Sequence, residues 1–259
     1  MDKKTFEAYS HYYDLLYKDK DYAGEADYIH SLIKQFSPKA TTILELGCGT
    51  GIHASILAEK GYKIEGIDKS EAMLKRALEL QSELPLPVSQ KLSFLEGDIR
   101  TYKSALKFDA VISLFHVMSY MTTNEDLNLA IQTAKKHLKH DGIFIFDCWY
   151  GPGVMFDKPI SRVKTFENNS VSINRTSIPK IYPDKHIVDV TFEISIHDKL
   201  KNENMKLHEL HSMRYLFTDE LHSLMKINGL EIIHAEEWMT KKTLAENCWS
   251  ACYVCKNNL

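Results

Sequence analysis

Hydrophobic and polar positions follow two different periods along the first 150 residues. Tyr22–Phe36 has its apolar side chains at helical spacing and is followed by Pro38. Thr41–Leu46 is instead a short apolar and β-branched run, which predicts a buried strand. The same alternation predicts further helices over 51–60, 70–78 and 124–140 and further strands over 62–67, 92–95, 108–114 and 143–148. Alternation of this kind favours a parallel α/β sheet with right-handed crossovers.

The pattern changes after Tyr150. The β-rich runs between Val163 and Tyr215, separated by Asn-Asn, Pro-Asp and Lys-Asn turns, predict antiparallel strands inserted into the α/β framework or set against its edge. A helix capped by Thr218 and two closing strands should complete the core, and Asn124 is the expected cap of the helix that reaches about His140. We therefore predict three regions: an α/β core with an N-terminal helical lid (1–150), an inserted antiparallel β region for substrate or oligomer contacts (151–217), and the closing helix and strands (218–259).

Charge and cysteine content narrow the functional classes. The formal net charge is −3 and no Lys/Arg block stands out, which argues against a nucleic-acid partner. Five cysteines are an odd number, and no apolar stretch is long enough to span a bilayer, so we expect a cytoplasmic protein without membrane contact. Cys252 and Cys255 form a CxxC pair, but strand alternation puts them on opposite faces, so no metal site is expected.

The stretch ILELGCGTG, residues 43–51, places a glycine-rich turn directly after the first strand. Gly47, Gly49 and Gly51 allow a tight turn and remove Cβ atoms where a ligand must touch the backbone. The turn belongs to the carboxyl end of a parallel strand, which is where open α/β sheets bind ligands. Its GxGxG spacing differs from the GxGxxG fingerprint of pyrophosphate-binding turns.

Three carboxylates surround this turn in the sequence. Glu45 lies inside the strand before the turn, where a carboxylate suits an ammonium group better than a pyrophosphate. Asp68 ends the second strand, where it can accept both ribose hydroxyls, and Asp98 could accept from an adenine amine. This set describes S-adenosylmethionine, a nucleoside with a cationic amino-acid tail. A Rossmann-type turn binding NAD, or glycines that serve only packing, is the alternative.

The assembly ELGCGTG…GIDKS…GDIR resembles the motifs of class I S-adenosylmethionine-dependent methyltransferases over roughly residues 40 to 150. The resemblance implies a Rossmann-like seven-stranded sheet whose last strand is antiparallel, with helices on both faces. It also implies cofactor contacts: Gly47, Cys48 and Gly49 at the methionine moiety, Asp68 at the ribose, Lys69 and Met73 along the nucleoside, Asp98 and Ile99 near adenine, and Leu114 near the donor methyl group.

The segments YDLLYKDKDYAGEA, SLFHVMSYM and FDCWYGP are similar to bacterial sugar N,N-dimethyltransferases of the desosamine and mycaminose type. That resemblance implies an amine on a nucleotide-linked deoxysugar as acceptor. Where those enzymes tend to have a histidine after the fourth strand, this chain has Tyr120, and their paired tryptophans are Trp149 and Tyr150 here. Either change could mean another sugar or a hydroxyl acceptor. We predict methyl transfer to an amino or hydroxyl group of a nucleotide-activated or glycan sugar. The alternatives are another small metabolite as acceptor, or a non-catalytic cofactor-binding subunit.

His116 and Tyr120, on the loop after the fourth strand, are candidates to orient or deprotonate the acceptor. The other interpretation of His116 is a hydrogen-bonded histidine beneath the cofactor. Tyr13 and Tyr17 lie four residues apart on a predicted helix and share a face. They could close over the site as a lid, with Tyr13 at the cofactor and Tyr17 at the catalytic centre, or pack on the sheet.

Aromatic and basic residues outside the cofactor motifs are candidates for acceptor binding. Trp149 and Tyr150 leave the fifth strand, where they could stack on a sugar face or belong to the core. Arg214, in the β-rich region with His208 and His211, could hold a diphosphate or carboxylate in bidentate fashion. A solvated strand face is the interpretation of Arg214 that the sequence favours. The β-rich region is also where we would expect a homodimer contact.

Overall fold

A computed structural model describes residues 16–17 and 20–257. Its helices are α1 (Tyr22–Phe36), α2 (Ile52–Glu59), α3 (Glu71–Glu83), α4 (Leu86–Ser89), α5 (Asn124–His137), α6 (Gly151–Phe156) and α7 (Thr218–Ile227), with 3-10 turns at Val117–Tyr120 and Pro183–Lys185. Its strands are β1 (Thr42–Leu46), β2 (Lys63–Asp68), β3 (Leu92–Glu96), β4 (Phe108–Ser113), β5 (Leu138–Tyr150), β6 (Arg162–Glu167), β7 (Val171–Tyr182), β8 (Ile187–Asp198), β9 (Glu203–Leu216), β10 (Leu230–Glu237) and β11 (Ser250–Asn257). Within these ranges, no helix is both long and apolar enough to cross a membrane.

The described chain forms two compact units. The larger unit contains residues 21–157 and 215–257, and the smaller unit contains Lys158–Arg214 with Leu16, Tyr17 and Lys20. The first boundary between the units follows α6, which packs closely within the larger unit. A Cβ added to Gly153 of α6 would lie 1.7 Å from the carbonyl oxygen of Cys248. The second division falls within β9, because Tyr215 and Leu216 already pair with β5.

The sheet of the larger unit has the strand order β3-β2-β1-β4-β5-β11-β10 over the described residues. The pairings among β1 to β5 are all parallel, and β11 is antiparallel to both of its neighbours. The strand order reverses between β1 and β4, so their carboxyl ends form the topological switch point at which such sheets bind ligands. The Rossmann-like sheet and its antiparallel last strand, predicted from the sequence, are confirmed.

Apolar side chains cover both faces of this sheet. Successive side chains of a strand point to opposite faces, so a continuous apolar run supplies both. Ile43 and Leu44 are adjacent on β1 but belong to two different buried clusters. Cys252 and Cys255 are divided between the same two clusters, which confirms that they lie on opposite faces. The central strands are therefore fixed by burial on both sides.

The N-caps of two helices each lie one residue before the predicted caps, Asn124 and Thr218. Helix α5, which connects β4 to β5, has Thr123 as its N-cap, and Thr123 Oγ1 accepts from Asp126 N at 3.0 Å. The helix ends at His137 because β5 begins at Leu138. Helix α7 is preceded by Phe217, whose main-chain N–H donates to Glu220 Oε1 at 2.9 Å. Local hydrogen bonds of this kind compete with propensity at helix ends.

The smaller unit is an antiparallel sheet of order β9-β8-β7-β6. On it, the guanidinium carbon of Arg175 lies 5.5, 5.4 and 5.1 Å from the ring centres of Tyr17, Phe166 and Phe192. These distances are within the range of cation–π contacts. The antiparallel pairing matches the β-rich pattern of the sequence.

Candidate functional site at the carboxyl ends of the central strands

The glycine turn after β1 has the left-handed backbone that its sequence predicts. Gly47, Gly49 and Gly51 have φ angles of 78°, 54° and 75°. A Cβ on Gly47 would lie 2.8 Å from both methyl carbons of Val117, so this position is closed by packing. A Cβ on Gly49 would meet no described atom within 4 Å. The turn is therefore tight at Gly47 and open at Gly49, where a ligand can approach the backbone.

Asp68 joins the glycine turn to the end of β2. Its Oδ2 accepts from Gly49 N at 2.9 Å and its Oδ1 accepts from Ser70 N at 2.8 Å. A carboxylate has about four lone-pair sites, so two remain for ribose hydroxyls. Burial is the main cause that raises the pKa of Asp68, against these two hydrogen bonds, which lower it.

Glu45 brings a buried carboxyl group to the same place. The residue is 1% exposed, and its Oε2 has no hydrogen-bond partner among the described residues. Its Oε1 lies 3.9 Å from Nδ1 of His53, whose Nε2 is 2.7 Å from Glu25 Oε2. Burial, together with the charge of Asp68, raises the pKa of Glu45 to about 8. An unpartnered buried carboxyl oxygen suits a cationic ligand, which would stabilise its charged form.

The remaining predicted cofactor residues near the turn differ in burial. Cys48 is buried, and burial raises the pKa of its thiol, so it stays protonated. Lys69 is exposed after β2, and Met73 is half-buried in the first turn of α3. Ser70 caps that helix by accepting from Met73 N at 3.3 Å, as its sequence position predicts.

Asp98 is engaged by a residue that the sequence analysis did not single out. Arg100 donates to Asp98 Oδ1 through Nε at 2.9 Å and to Oδ2 through a terminal nitrogen at 2.5 Å, and it also reaches Asp126 at 2.8 Å. The hydrogen bonds from Arg100 lower the pKa of Asp98 to about 2. The signal was present in GDIR, where an arginine follows the aspartate by two positions. The adenine contacts of Asp98 and of its buried neighbour Ile99 stay predictions.

The loop after β4 begins with two residues in an unfavourable backbone conformation. Leu114 is buried, and Phe115 and His116 then have φ angles of 65° and 61°, which side chains with a Cβ rarely adopt. Ser119 N donates to His116 O at 2.9 Å, which begins the 3-10 turn. Tyr120 ends that turn with 44% of its surface exposed. The two candidate acceptor residues are thus separated by one short turn.

His116 contacts Asp147, a residue on β5 that the sequence analysis missed. Nδ1 of His116 lies 2.6 Å from Asp147 Oδ2, and the main-chain N of His116 is 3.1 Å from each carboxylate oxygen. Asp147 is 1% exposed. An aspartate inside the apolar run IFIFDCW was the available signal, because a charged residue on a central strand needs a partner.

Trp149 lies next to this pair at the end of β5. Its main-chain N–H donates to Ser119 Oγ at 3.0 Å, and its ring centre is 6.4 Å from that of His116. Trp249, also missed from the sequence, packs edge-on against Trp149 at 5.4 Å. Tyr150 is half-buried and its N–H donates to Trp249 O at 2.9 Å. Aromatic rings therefore border the histidine.

Comparison with known proteins shows which family the segment around the glycine turn resembles. A family described as a methyltransferase domain matches residues 43–142. Residues 43–142 are therefore similar to a methyltransferase domain. The match contains the glycine turn, Asp68, Asp98 and His116.

Two curated relatives of this chain are named as N,N-dimethyltransferases of amino sugars. It is 32% identical to the dTDP-3-amino-3,4,6-trideoxy-alpha-D-glucopyranose N,N-dimethyltransferase of Streptomyces venezuelae, over 58% of this chain and 60% of that protein. It is 30% identical to the dTDP-3-amino-3,6-dideoxy-alpha-D-glucopyranose N,N-dimethyltransferase of Streptomyces fradiae, over 54% of this chain and 52% of that protein. The chain thus spans between half and two thirds of the length of these relatives.

The fold extends the likeness beyond the methyltransferase domain. An S-adenosylmethionine-dependent methyltransferase from Clostridium acetobutylicum superposes with a TM-score of 0.79 at 21% identity, over 96% of this chain and 97% of the other. At this identity the likeness shows the fold alone. The fold predicted from the sequence is confirmed, and the resemblance to methyltransferases is confirmed over residues 43–142.

The residues at the carboxyl ends of β1 and β2 fit S-adenosylmethionine, the cofactor expected from the sequence. The unpartnered Oε2 of Glu45 suits the ammonium group, the open backbone at Gly49 leaves room for the methionine moiety, and Asp68 retains acceptor sites for the ribose. Over the residues that the structure describes, no cluster of three or more His, Cys, Asp or Glu side chains could hold a metal ion.

The other predicted residues belong to the smaller unit or are not described. The Tyr17 hydroxyl lies 3.5 Å from a guanidinium nitrogen of Arg175. Arg214 is 6% exposed, so the solvated strand face favoured for it from the sequence is wrong. The last residues of β9 are buried one after another, which an alternating pattern does not predict. His211 is 3.1 Å from buried Glu209, and His208 is exposed. Tyr13 lies outside the described residues.

Proposed function

We propose that the protein is an S-adenosylmethionine-dependent methyltransferase whose acceptor is an amino group on a nucleotide-activated sugar. One observation carries the proposal. A cofactor cradle (Glu45, Gly49 and Asp68) and a histidine held by an aspartate (His116 and Asp147) occur together at the carboxyl ends of strands β1, β2, β4 and β5. The first set suits a cationic nucleoside, and the second suits an acceptor that must lose a proton.

The cofactor supplies an electrophilic methyl group on a sulfonium. In-line displacement requires mainly that donor and acceptor are aligned and that water is kept out. Glu45 and Asp68 hold the two polar ends of the cofactor, and the glycine turn fixes the distance between them. Trp149 borders the acceptor side and can stack on the apolar face of a sugar ring.

An amine becomes an ammonium when it is methylated, so one proton must leave for each neutral product. His116 is the side chain that we assign to this proton, and Tyr120 is placed to donate to or accept from the sugar. Both curated relatives described above carry an amino-sugar acceptor in their names, which favours an amine over a hydroxyl group. Addition of two methyl groups would follow if the monomethylated amine binds in the same place.

The test begins with binding and ends with product mass. S-Adenosylmethionine and its demethylated product should raise Tm, whereas NAD should not. Incubation with S-adenosylmethionine and dTDP-3-amino-3,4,6-trideoxy-α-D-glucose should give mono- and dimethylated sugar by mass spectrometry. The matched 3-hydroxy sugar nucleotide should stay unmethylated.

The outcomes separate the alternatives. Methylation of the 3-hydroxy sugar alone would replace the amine by a hydroxyl acceptor. Methylation of other small amines, with no sugar product, would replace the substrate class. Cofactor binding without turnover on any acceptor would favour a non-catalytic partner subunit. A thermal shift with NAD and none with S-adenosylmethionine would overturn the proposal entirely.

A further inference from the structure

Asp147 lies at a buried position, where the loss of hydration makes a charged carboxylate energetically unfavourable. It lies on β5 between Phe146 and Cys148, both fully buried, and is itself 1% exposed. Burying a charge is unfavourable unless it is paired and hydrogen-bonded. The main-chain N–H of His116 donates to both carboxylate oxygens, and ring Nδ1 lies 2.6 Å from Oδ2 without forming a hydrogen bond of its own.

The backbone of the loop after β4 gives a second, independent observation. Phe115 and His116 are consecutive non-glycine residues in the left-handed region. Such conformations are energetically unfavourable and persist only where the surroundings enforce them. The Asp147 carboxylate accepts from His116 N in the middle of this strained segment. At the other end of the loop, Ser119 Oγ accepts a hydrogen bond from Trp149 N on β5.

From these two observations we propose that Asp147 is a positioning residue that holds His116 with Nδ1–H toward the carboxylate and leaves Nε2 as the proton acceptor for the methylated group. The inference rests on the proposed function for the identity of the acceptor, but the orientation of the ring does not depend on it.

The chemistry follows from the two nitrogens of a neutral imidazole. One nitrogen carries a hydrogen and the other is a bare acceptor, and a hydrogen bond at one nitrogen decides the state of the other. Nδ1 has no hydrogen-bond partner of acceptable geometry among the described residues, but a carboxylate oxygen 2.6 Å away repels a bare nitrogen lone pair and attracts an N–H group, so its proximity favours the hydrogen on Nδ1. The lone pair of the neutral amine would form the new bond to the methyl carbon as the carbon–sulfur bond of the sulfonium breaks and S-adenosylhomocysteine leaves. The resulting ammonium group would lose its proton to Nε2, from which the proton passes to water.

The first experiment measures the ring directly. Long-range ¹H–¹⁵N correlation spectra of the protein with S-adenosylhomocysteine, assigned to His116 by loss of its signals in His116→Gln, report which nitrogen carries the hydrogen. We expect Nδ1–H in the wild type and a mixture of tautomers in Asp147→Asn. A wild-type ring protonated at Nε2, or a tautomer that Asp147→Asn leaves unchanged, would overturn the inference.

The second experiment is a double-mutant cycle on turnover of the amino sugar. A positioned base contributes roughly 10²- to 10⁴-fold, so His116→Gln should lose about that factor in kcat. Asp147→Asn should lose about 10- to 100-fold in kcat, since part of the ring population keeps the productive tautomer. The double variant should be no slower than His116→Gln, because residues that act as one unit are not additive.

A purely structural aspartate would give a different result. Its loss would lower cofactor affinity and would reduce kcat by the same factor whether or not His116 is present. Asp109→Asn is the matched control. Asp109 is a β4 carboxylate at the opposite, amino end of the sheet, where it accepts from the main chain of Thr41 and Thr42 at 2.9 Å. This variant should lose stability without changing kcat. If no amino sugar is turned over by the wild type, the proposed function fails, and the spectra alone decide the role of Asp147.

Discussion

The main-chain N–H of Gly49 donates to Oδ2 of Asp68 at 2.9 Å, so the glycine turn after β1 is held by the carboxylate that ends β2. The same carboxylate has acceptor sites left for a ribose. Asp68→Ala should therefore lose cofactor binding by two routes, a loosened turn and a missing ribose contact. We expect an increase of roughly 100-fold or more in Kd, from two hydrogen bonds to a charged group. Isothermal titration with S-adenosylhomocysteine measures it.

Asp68→Asn separates the two routes. Its remaining carboxamide oxygen can accept from one main-chain N–H but cannot accept at both positions. Binding should fall between the wild type and Asp68→Ala. An Asn variant as weak as the Ala variant would show that the negative charge, and not the number of acceptor atoms, is required.

Gly49 and Gly61 provide a matched pair of substitutions. Both have positive φ angles, 54° and 107°, and at both positions an added Cβ would meet no described atom within 4 Å. An alanine in left-handed backbone costs about 1 to 2 kcal/mol at either site. Gly49→Ala should in addition place a methyl group where the methionine moiety binds. We expect Gly49→Ala to lose cofactor affinity and Gly61→Ala to lose only stability, measured by titration and by Tm. Equal affinity in the two variants would mean that the cofactor does not pass over Gly49.

Glu45 makes stability depend on pH. Its pKa in the folded protein, about 8, is higher than the ordinary value of 4.5, so the folded state binds the proton more tightly than the unfolded chain does. The stabilisation is complete below about pH 4.5 and is lost as the pH rises to about 8. Without ligand, wild-type Tm should fall more steeply between pH 6 and 8 than the Tm of Glu45→Gln. Glu65→Gln, at a half-buried glutamate that accepts from Tyr102, is the control and should keep the wild-type slope. Identical slopes for wild type and Glu45→Gln would contradict the assignment.

Folding stability favours the protonated form of Glu45, whereas cofactor binding should favour its charged form. The charged carboxylate pairs with an ammonium group, and loss of a charged hydrogen bond costs about 1.5 to 3 kcal/mol, or roughly 10- to 100-fold in Kd. Glu45→Gln should therefore bind S-adenosylhomocysteine more weakly while being the more stable protein at pH 8. A variant that is both less stable and weaker in binding would indicate a packing defect instead.

Tyr120 tests the acceptor side separately from the cofactor side. It is exposed at the end of the turn that begins at His116. Tyr120→Phe should keep cofactor affinity and reduce kcat/KM for the amino sugar by about 10-fold, the effect of one neutral hydrogen bond. Tyr62→Phe removes a hydroxyl that lies 3.0 Å from His30 Nδ1 next to the start of β2, and should affect stability only. Loss of cofactor binding in Tyr120→Phe would place this residue on the wrong side of the site.

The sequence by itself determined the alternating elements, the glycine turn and the carboxylates of Glu45 and Asp68. These features are local: apolar periodicity specifies helices and strands, and parallel strands bring their carboxyl ends to one edge whatever the distant contacts are. The cofactor follows from residues within a few positions of those ends. The helix caps at Thr123 and Phe217 were missed by one residue, since hydrogen bonds between neighbouring side chains and main chain decide such boundaries.

Only the tertiary structure decided which groups act in pairs. Asp147 follows His116 by 31 positions, and nothing in the spacing of the two predicts a contact of 2.6 Å. The pairing arises because β4 and β5 are neighbours in the sheet, so the loop after one reaches the side chains of the other. Arg214 was misjudged for the same reason, because its burial depends on where the sheet ends rather than on alternation along β9. The cofactor cradle is specified by local sequence, whereas the partners of His116 and Arg214 depend on which strands the fold places together.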